Sequence, residues 1–77
     1  MEITELSNII LPDGVVRFQY ITPSANFLYL GYILESLEGL CLYTNPPENK
    51  GIMQVDVVPD LLNNFQEIIT AIRKLSF

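Results

Sequence analysis

The chain has 77 residues, of which 49% are hydrophobic and 17% charged, so it can build one folded domain over residues 1–77 and is not disordered. Four Lys and Arg against nine Asp and Glu give a net charge of −5, which argues against nucleic-acid binding because phosphate contacts need basic side chains. The sequence contains no His, which excludes imidazole catalysis and imidazole metal ligands. The single Cys41 excludes an intramolecular disulfide and a thiolate metal cluster.

The compartment is predicted from the N-terminus and from the longest apolar stretch. Residues 1–5 carry two acids and no base, unlike a secretory signal. The apolar stretch over residues 27–34 is far shorter than the ~20 residues that a membrane helix needs. One unpaired cysteine fits a reducing compartment. We therefore expect a cytoplasmic protein that does not enter a membrane.

The N-terminal part of the chain predicts a β-hairpin. Residues 15–21 are rich in β-branched and aromatic side chains and are typical of a strand. Pro12-Asp13-Gly14 precedes them and forms a turn signal. Residues 3–11 are therefore expected to be the first arm of the hairpin, with a bulge at Ser7-Asn8.

The first predicted helix carries apolar residues on two sides. It should begin at Thr22-Pro23-Ser24, where either hydroxyl can cap it, run to about Leu37 and end at Gly39. One apolar stripe should cover a sheet; it consists of Phe27, Leu30, Ile33, Leu34 and Leu37. The opposite side, where a surface helix would normally carry charge, holds Leu28, Tyr29 and Tyr32.

Two more strands are predicted, joined by a loop. Residues 40–44 form a short apolar strand, and residues 45–51 are dense in turn formers. In residues 52–58 polar and apolar side chains alternate, as in a strand with one buried face. That apolar face consists of Met53, Val55 and Val57.

The last predicted helix opens at Pro59-Asp60. Asp60 is a plausible N-cap because its charge suits the positive end of the helix. The apolar side recurs at helical spacing and consists of Leu61, Phe65, Ile68, Ile72 and Leu75. Phe65 and Ile68 are expected to anchor the core.

The order of these elements predicts an α+β two-layer sandwich, a ferredoxin-like variant. Two helices should cover one face of a three- or four-stranded antiparallel sheet. The N-terminal arm would occupy the edge where the last strand of that fold usually lies. The predicted spatial order is the arm, then residues 15–21, 52–58 and 40–44.

Two stretches of the chain carry a resemblance to a known family. They are Asn26–Leu40, with Leu-Glu and Gly-Leu around the helix end, and Gly51-Ile-Met-Gln-Val55. Over roughly residues 15–76 the chain resembles a family of short bacterial proteins catalogued as a domain of unknown function. The resemblance implies a small β-α-β-β-α protein and assigns no catalytic residue.

Few residues suggest chemistry. Cys41 has no basic neighbour in the sequence and is expected to be a buried small hydrophobe. Glu35 and Glu38 lie three apart on a helix but have no third ligand at helical spacing, so a solvated face is expected. Turn chemistry alone explains residues 45–51. We therefore expect no catalytic, metal or cofactor site, and a protein that is not an enzyme.

The predicted function is a non-catalytic protein-interaction or self-associating regulatory module, with a second copy or another protein as the partner. The predicted interface residues are Leu28, Tyr29, Tyr32, Tyr43 and Ile52. The sheet face away from the helices should also be apolar, since Val15, Ile21, Tyr43, Ile52 and Val58 outnumber Arg17, Gln19, Gln54 and Asp56.

A different class of function fits the same fold. The alternative is a small-ligand sensing domain similar to ACT-type regulatory domains, which bind amino acids between paired subunits. Against it, the Gly-rich ligand turn expected between the first strand and the first helix is replaced by Thr22-Pro23-Ser24.

Overall fold

A computed structural model describes residues 1–46, 48 and 51–75 of the chain. In these residues the predicted elements are all present, with bounds that differ by one or two residues from the predicted ones. They are β1 (Thr4–Ile10), β2 (Val16–Ile21), α1 (Ser24–Ser36), β3 (Leu42–Thr44), β4 (Met53–Val57), a 3-10 turn (Pro59–Leu61) and α2 (Leu62–Arg73). Residues 47, 49 and 50 of the predicted loop lie outside the described residues.

The four strands form one antiparallel sheet in the order β1-β2-β4-β3. This is the predicted spatial order, with the N-terminal arm as an edge strand beside β2. The fold is α+β: an open four-stranded sheet with two helices. β1 and β3 are the two edges, so each has one side without a described strand.

The predicted hairpin turn is confirmed. The backbone N–H of Gly14 donates to the Leu11 carbonyl at 2.9 Å, and the Leu11 N–H donates to the Val15 carbonyl at 2.8 Å. Gly14 has φ +89°, which glycine adopts without a Cβ clash. The bulge predicted at Ser7-Asn8 is misplaced: pairing with β2 shifts between Glu5 and Ser7, so Leu6 is the extra residue.

The core lies between one face of the sheet and both helices, as predicted. The strands contribute Phe18, Tyr20, Met53, Val55 and Val57, and the helices contribute Leu30, Leu34, Phe65, Ile69 and Ile72. The Phe18 ring stacks between Tyr20 and Phe65, with centroid distances of 5.8 and 5.5 Å. The burial of these large side chains is the main stabilising term.

Both predicted N-caps are wrong. The residue before α1 is Pro23, and no side chain caps this N-terminus in the part of the chain described; the Thr22 hydroxyl donates instead to the Glu2 carbonyl at 2.6 Å. Asp60 lies inside the 3-10 turn, and the residue before α2 is Leu61. Gly39 does have the positive φ expected of a residue after a helix, +86°.

The buried stripe of α2 is rotated slightly from the predicted one. Ile69 is buried and Ile68 only half-buried, while Leu75 is exposed. Phe65, Ile69 and Ile72 follow the spacing of a single helical face. Phe65 is therefore a core anchor as predicted, but its partner is Ile69 and not Ile68.

Candidate interaction surfaces

The outer face of α1 is exposed and apolar, as its sequence predicts. Leu28, Tyr29 and Tyr32 are 66, 51 and 62% exposed. Helix α1 contains one charged residue, Glu35. We call Leu28, Tyr29 and Tyr32 the α1 patch.

A cleft of about 200 Å³ separates α1 from the edge strand β3. Its walls consist of Phe27, Leu28, Gly31, Tyr32, Glu35, Tyr43 and Asn45. Gly31 permits the close approach of helix and strand, since a Cβ there would lie 3.4 Å from Oη of Tyr43. Three of the five predicted interface residues therefore meet in one cleft, namely Leu28, Tyr32 and Tyr43.

Tyr43 faces the helices and not the open side of the sheet, which corrects its predicted placement. It pairs with the buried Val55 of β4, and cross-strand partners project to the same face. Burial raises the pKa of the Tyr43 hydroxyl, the charge of Glu35 raises it further, and a hydrogen bond with the Asn45 side chain lowers it. Tyr43 is thus a neutral, half-buried phenol.

The other two predicted interface residues lie outside the cleft. Tyr29 lies on the exposed side of α1 as part of the α1 patch. Ile52 is half-buried directly before β4 and does not line the cleft. The predicted set therefore divides into a group on α1 and β3, and the separate Ile52.

The outer edge of β3 borders the same cleft. β3 pairs with β4 on one side, and no described strand pairs with its other side. An unpaired edge presents backbone N–H and C=O groups to any incoming strand. Apolar side chains therefore lie on the same flank of the molecule as a strand edge that no described strand pairs with.

The face of the sheet away from the helices is more polar than predicted. A row of side-chain hydrogen bonds crosses all four strands: Ser7 donates to Gln19 at 3.2 Å, Gln19 to Gln54 at 3.1 Å, and Gln54 to Thr44 at 3.2 Å. Polar groups that bond one another and face solvent need no covering partner. The expectation of a predominantly apolar face is therefore wrong where this row of hydrogen bonds crosses the sheet.

The neighbouring row on this open face contains an ion pair. Nε and Nη2 of Arg17 donate to the two carboxylate oxygens of Asp56 at 2.9 and 3.0 Å. The hydrogen bond to Asp56 raises the pKa of Arg17, burial opposes this, and the charges of Asp56 and Asp13 add to the rise. Ile9 and Leu42 flank the pair on the edge strands.

A groove of about 510 Å³ borders this ion pair. Its walls consist of Leu11, Asp13, Val15, Arg17, Gly39, Leu40, Cys41, Leu42, Asp56, Val58 and Leu61. The sequence did not indicate this groove, because three connecting segments and the ends of three strands form it. Leu42 is an apolar residue of the groove and is 62% exposed. Its place on the open face follows from its pairing with Asp56, which the sequence alone does not show.

The remaining candidates show little chemistry. Cys41 is half-buried, and burial raises the pKa of its thiol, so it is a weak nucleophile. Glu35 and Glu38 are exposed. In the described part of the chain, no three His, Cys, Asp or Glu side chains are grouped as metal ligands would be.

The described residues contain neither a membrane-spanning helix nor a charged side chain in the turn between β2 and α1. None of the helices in the described ranges is both long enough and apolar enough to cross a bilayer. The turn between β2 and α1, where the sensing alternative would place its ligand, borders a depression of about 360 Å³. Thr22, Ser24, Phe27 and Gly51 line it, and none of these described residues is charged.

The chain belongs to the family described as Domain of unknown function (DUF4911), whose model matches residues 23–75. This confirms the resemblance to a domain of unknown function. The match begins at the residue before α1 and ends after α2, so β1 and β2 lie outside it. Neither the curated proteins nor the solved structures contain a significant match to the chain.

Proposed function

We propose that the protein is a non-catalytic, cytoplasmic interaction module that self-associates through α1 and the outer edge of β3. The observation that carries the proposal is the position of the α1 patch, which borders the free edge of β3 across one cleft. The absence of His from the sequence supports the non-catalytic part of the proposal.

A second copy of the chain is the partner that fits this flank best. Two β3 edges can pair antiparallel about a two-fold axis, because such an interface uses the same patch on both subunits. The two sheets would then join into one, and the two α1 helices would lie beside each other on the same face. Leu28 and Tyr32, four residues apart on the helix, would meet their counterparts across the axis.

The area that a stable interface buries explains why the α1 patch and the β3 edge are both needed. A stable interface buries about 800 Å² on each partner, out of the 4947 Å² that this chain exposes. The α1 patch supplies on the order of 300 Å², given the 150–250 Å² that an aromatic side chain buries. The cleft wall and the β3 edge lie next to the patch and supply more of the contact.

Charge favours this flank over the rest of the surface. Two chains that each carry a net charge of −5 repel each other, so they approach best where charge is scarce. Helix α1 has only Glu35, and β3 has no charged residue. Aromatic side chains are also enriched in the cores of interfaces.

Sedimentation velocity across a series from low to high micromolar concentration tests the proposal. The wild type should sediment as a monomer–dimer equilibrium. Tyr32→Glu places a charge in the interface and removes nothing from the core, so it should weaken dimerisation by about tenfold or more and leave the circular dichroism spectrum unchanged.

The matched control is Gln66→Glu, which adds the same charge to the exposed face of α2. It should dimerise like the wild type. A wild type that stays monomeric to high micromolar concentration would overturn self-association. Equal weakening by both variants would show that overall charge, and not the α1 patch, controls association.

A further inference from the structure

The 510 Å³ groove on the open sheet face has the size and lining of a small-molecule site. Binding pockets are typically about 300–1,000 Å³, mostly apolar, with a few polar groups that orient the ligand. Leucine and valine side chains form most of the wall. The open-face residues Arg17, Leu42 and Asp56 line the groove, and no residue of the α1 patch does.

Arg17 has donors left after its pairing with Asp56. Its Nε and Nη2 are engaged by the Asp56 carboxylate, while Nη1 bonds to no residue in the described part of the chain. A guanidinium can donate to a second carboxylate from its free edge, because it has five donors in a planar fork. The Arg17 side chain is 34% exposed and lines the groove.

Asp13 supplies the opposite charge at the rim of the same groove. Its Oδ1 accepts the backbone N–H of Val15 at 3.1 Å, which holds the carboxylate in place, and its Oδ2 remains available. Asp56 is already paired with Arg17, so among the described residues Asp13 is the carboxylate of the groove that forms no salt bridge, although its charge also acts on Arg17.

We infer that this groove binds a free α-amino acid with an apolar side chain. The ligand carboxylate would pair with the free edge of Arg17, its ammonium group with Asp13, and its side chain would lie against the leucines and valines. This assignment follows from the polar lining, since beside an apolar wall the groove offers the donors that Arg17 has left after pairing with Asp56, and the Asp13 carboxylate. A ligand with both charges and an apolar tail matches all three parts.

The test uses the full chain with uniform ¹⁵N labelling and titrates L-leucine while recording amide spectra. We expect saturable shifts at residues of the groove, including Asp13, Arg17 and Leu42. N-acetyl-L-leucine lacks the ammonium group and L-leucinamide lacks the carboxylate, so each should bind about tenfold more weakly, as expected for one lost charge-assisted hydrogen bond.

Asp13→Asn separates the charge of Asp13 from its structural bond, because asparagine keeps an oxygen for the Val15 N–H. This variant should bind L-leucine about as weakly as the wild type binds N-acetyl-L-leucine. Glu67→Gln, on the exposed face of α2, is the control and should bind like the wild type. The inference is overturned if L-leucine causes no saturable shift, if the shifts map outside the groove, or if both analogues bind as tightly as leucine.

Discussion

The two helices cover the same sheet face, yet their outer surfaces differ. Helix α2 buries Phe65, Ile69 and Ile72, and its exposed side holds polar residues and one alanine: Asn63, Asn64, Gln66, Glu67, Thr70, Ala71 and Arg73. Helix α1 buries Leu30, Gly31 and Leu34 but exposes the α1 patch. A helix needs only one apolar stripe to cover a sheet.

The difference distinguishes the two outer surfaces by their contact with water. The polar exposed side of α2 is what a helix in contact with water requires. The apolar side of α1 exposes hydrophobic area without contributing to the monomer's core, and it does so beside a free strand edge. This supports the proposal that α1 is the association helix and α2 the structural one.

The largest effect is expected in the shared core. Phe65 is fully buried and stacks on Phe18, so Phe65→Ala should lower the free energy of unfolding by about 3–5 kcal/mol, the range for a truncated core aromatic. Urea denaturation followed by circular dichroism measures this loss. A midpoint close to that of the wild type would show that α2 does not anchor the core.

A stabilising change is expected at Tyr20, in the core beneath the helices. The Tyr20 hydroxyl is buried and has no hydrogen-bond partner in the described residues. An unsatisfied buried hydroxyl costs about 1–3 kcal/mol, so Tyr20→Phe should raise the free energy of unfolding by about 1 kcal/mol. A loss of stability in the same urea experiment would mean that the hydroxyl has a partner.

Alkaline pH should weaken the wild type more than Tyr20→Phe. Burial raises the pKa of Tyr20 above the 10.0 of an unperturbed tyrosine, and the charge of Glu5 adds to the rise. Above pH 10 the unfolded chain loses this proton while the folded chain keeps it, so stability falls as the pH rises. Urea midpoints measured from pH 8 to pH 11 test this; parallel curves for the two proteins would contradict it.

The smallest effect on stability is expected on the outer face of α1. Leu28 is 66% exposed, and alanine is an equally good helix former, so Leu28→Ala should change the free energy of unfolding by less than about 0.5 kcal/mol. Measured below the dimerisation range, a loss comparable to that of Phe65→Ala would place Leu28 in the core of the monomer and remove the contrast between the helices.

Long elements with one clear pattern were predictable from the sequence. The alternation of β4 and the turn at Gly14 led to the correct sheet order, and the two sides of α1 were assigned correctly. In α2, Ile68 and Ile69 are adjacent and equally apolar, so periodicity alone did not show which one lies at the centre of the stripe.

The wrong predictions concern short segments, whose structure depends on what they pair with in the folded chain. β3 has three residues and no alternation, so the face of Tyr43 depends on its register with Val55. Asp60 lies in a 3-10 turn that the Pro59 signal did not distinguish from the first turn of an α-helix. The groove beside Arg17 depends on which strand ends and loops meet, and local sequence does not encode this.

Intermolecular contacts test the association surface most directly. A sample mixing ¹³C-labelled and unlabelled chains at high micromolar concentration allows isotope-filtered NOE measurement between copies. The proposed dimer predicts intermolecular NOEs from the Leu28 methyl groups to the Tyr32 ring, and between the backbones of residues 42–44 of the two copies. Intermolecular NOEs confined to α2, or the absence of any between chains, would contradict it.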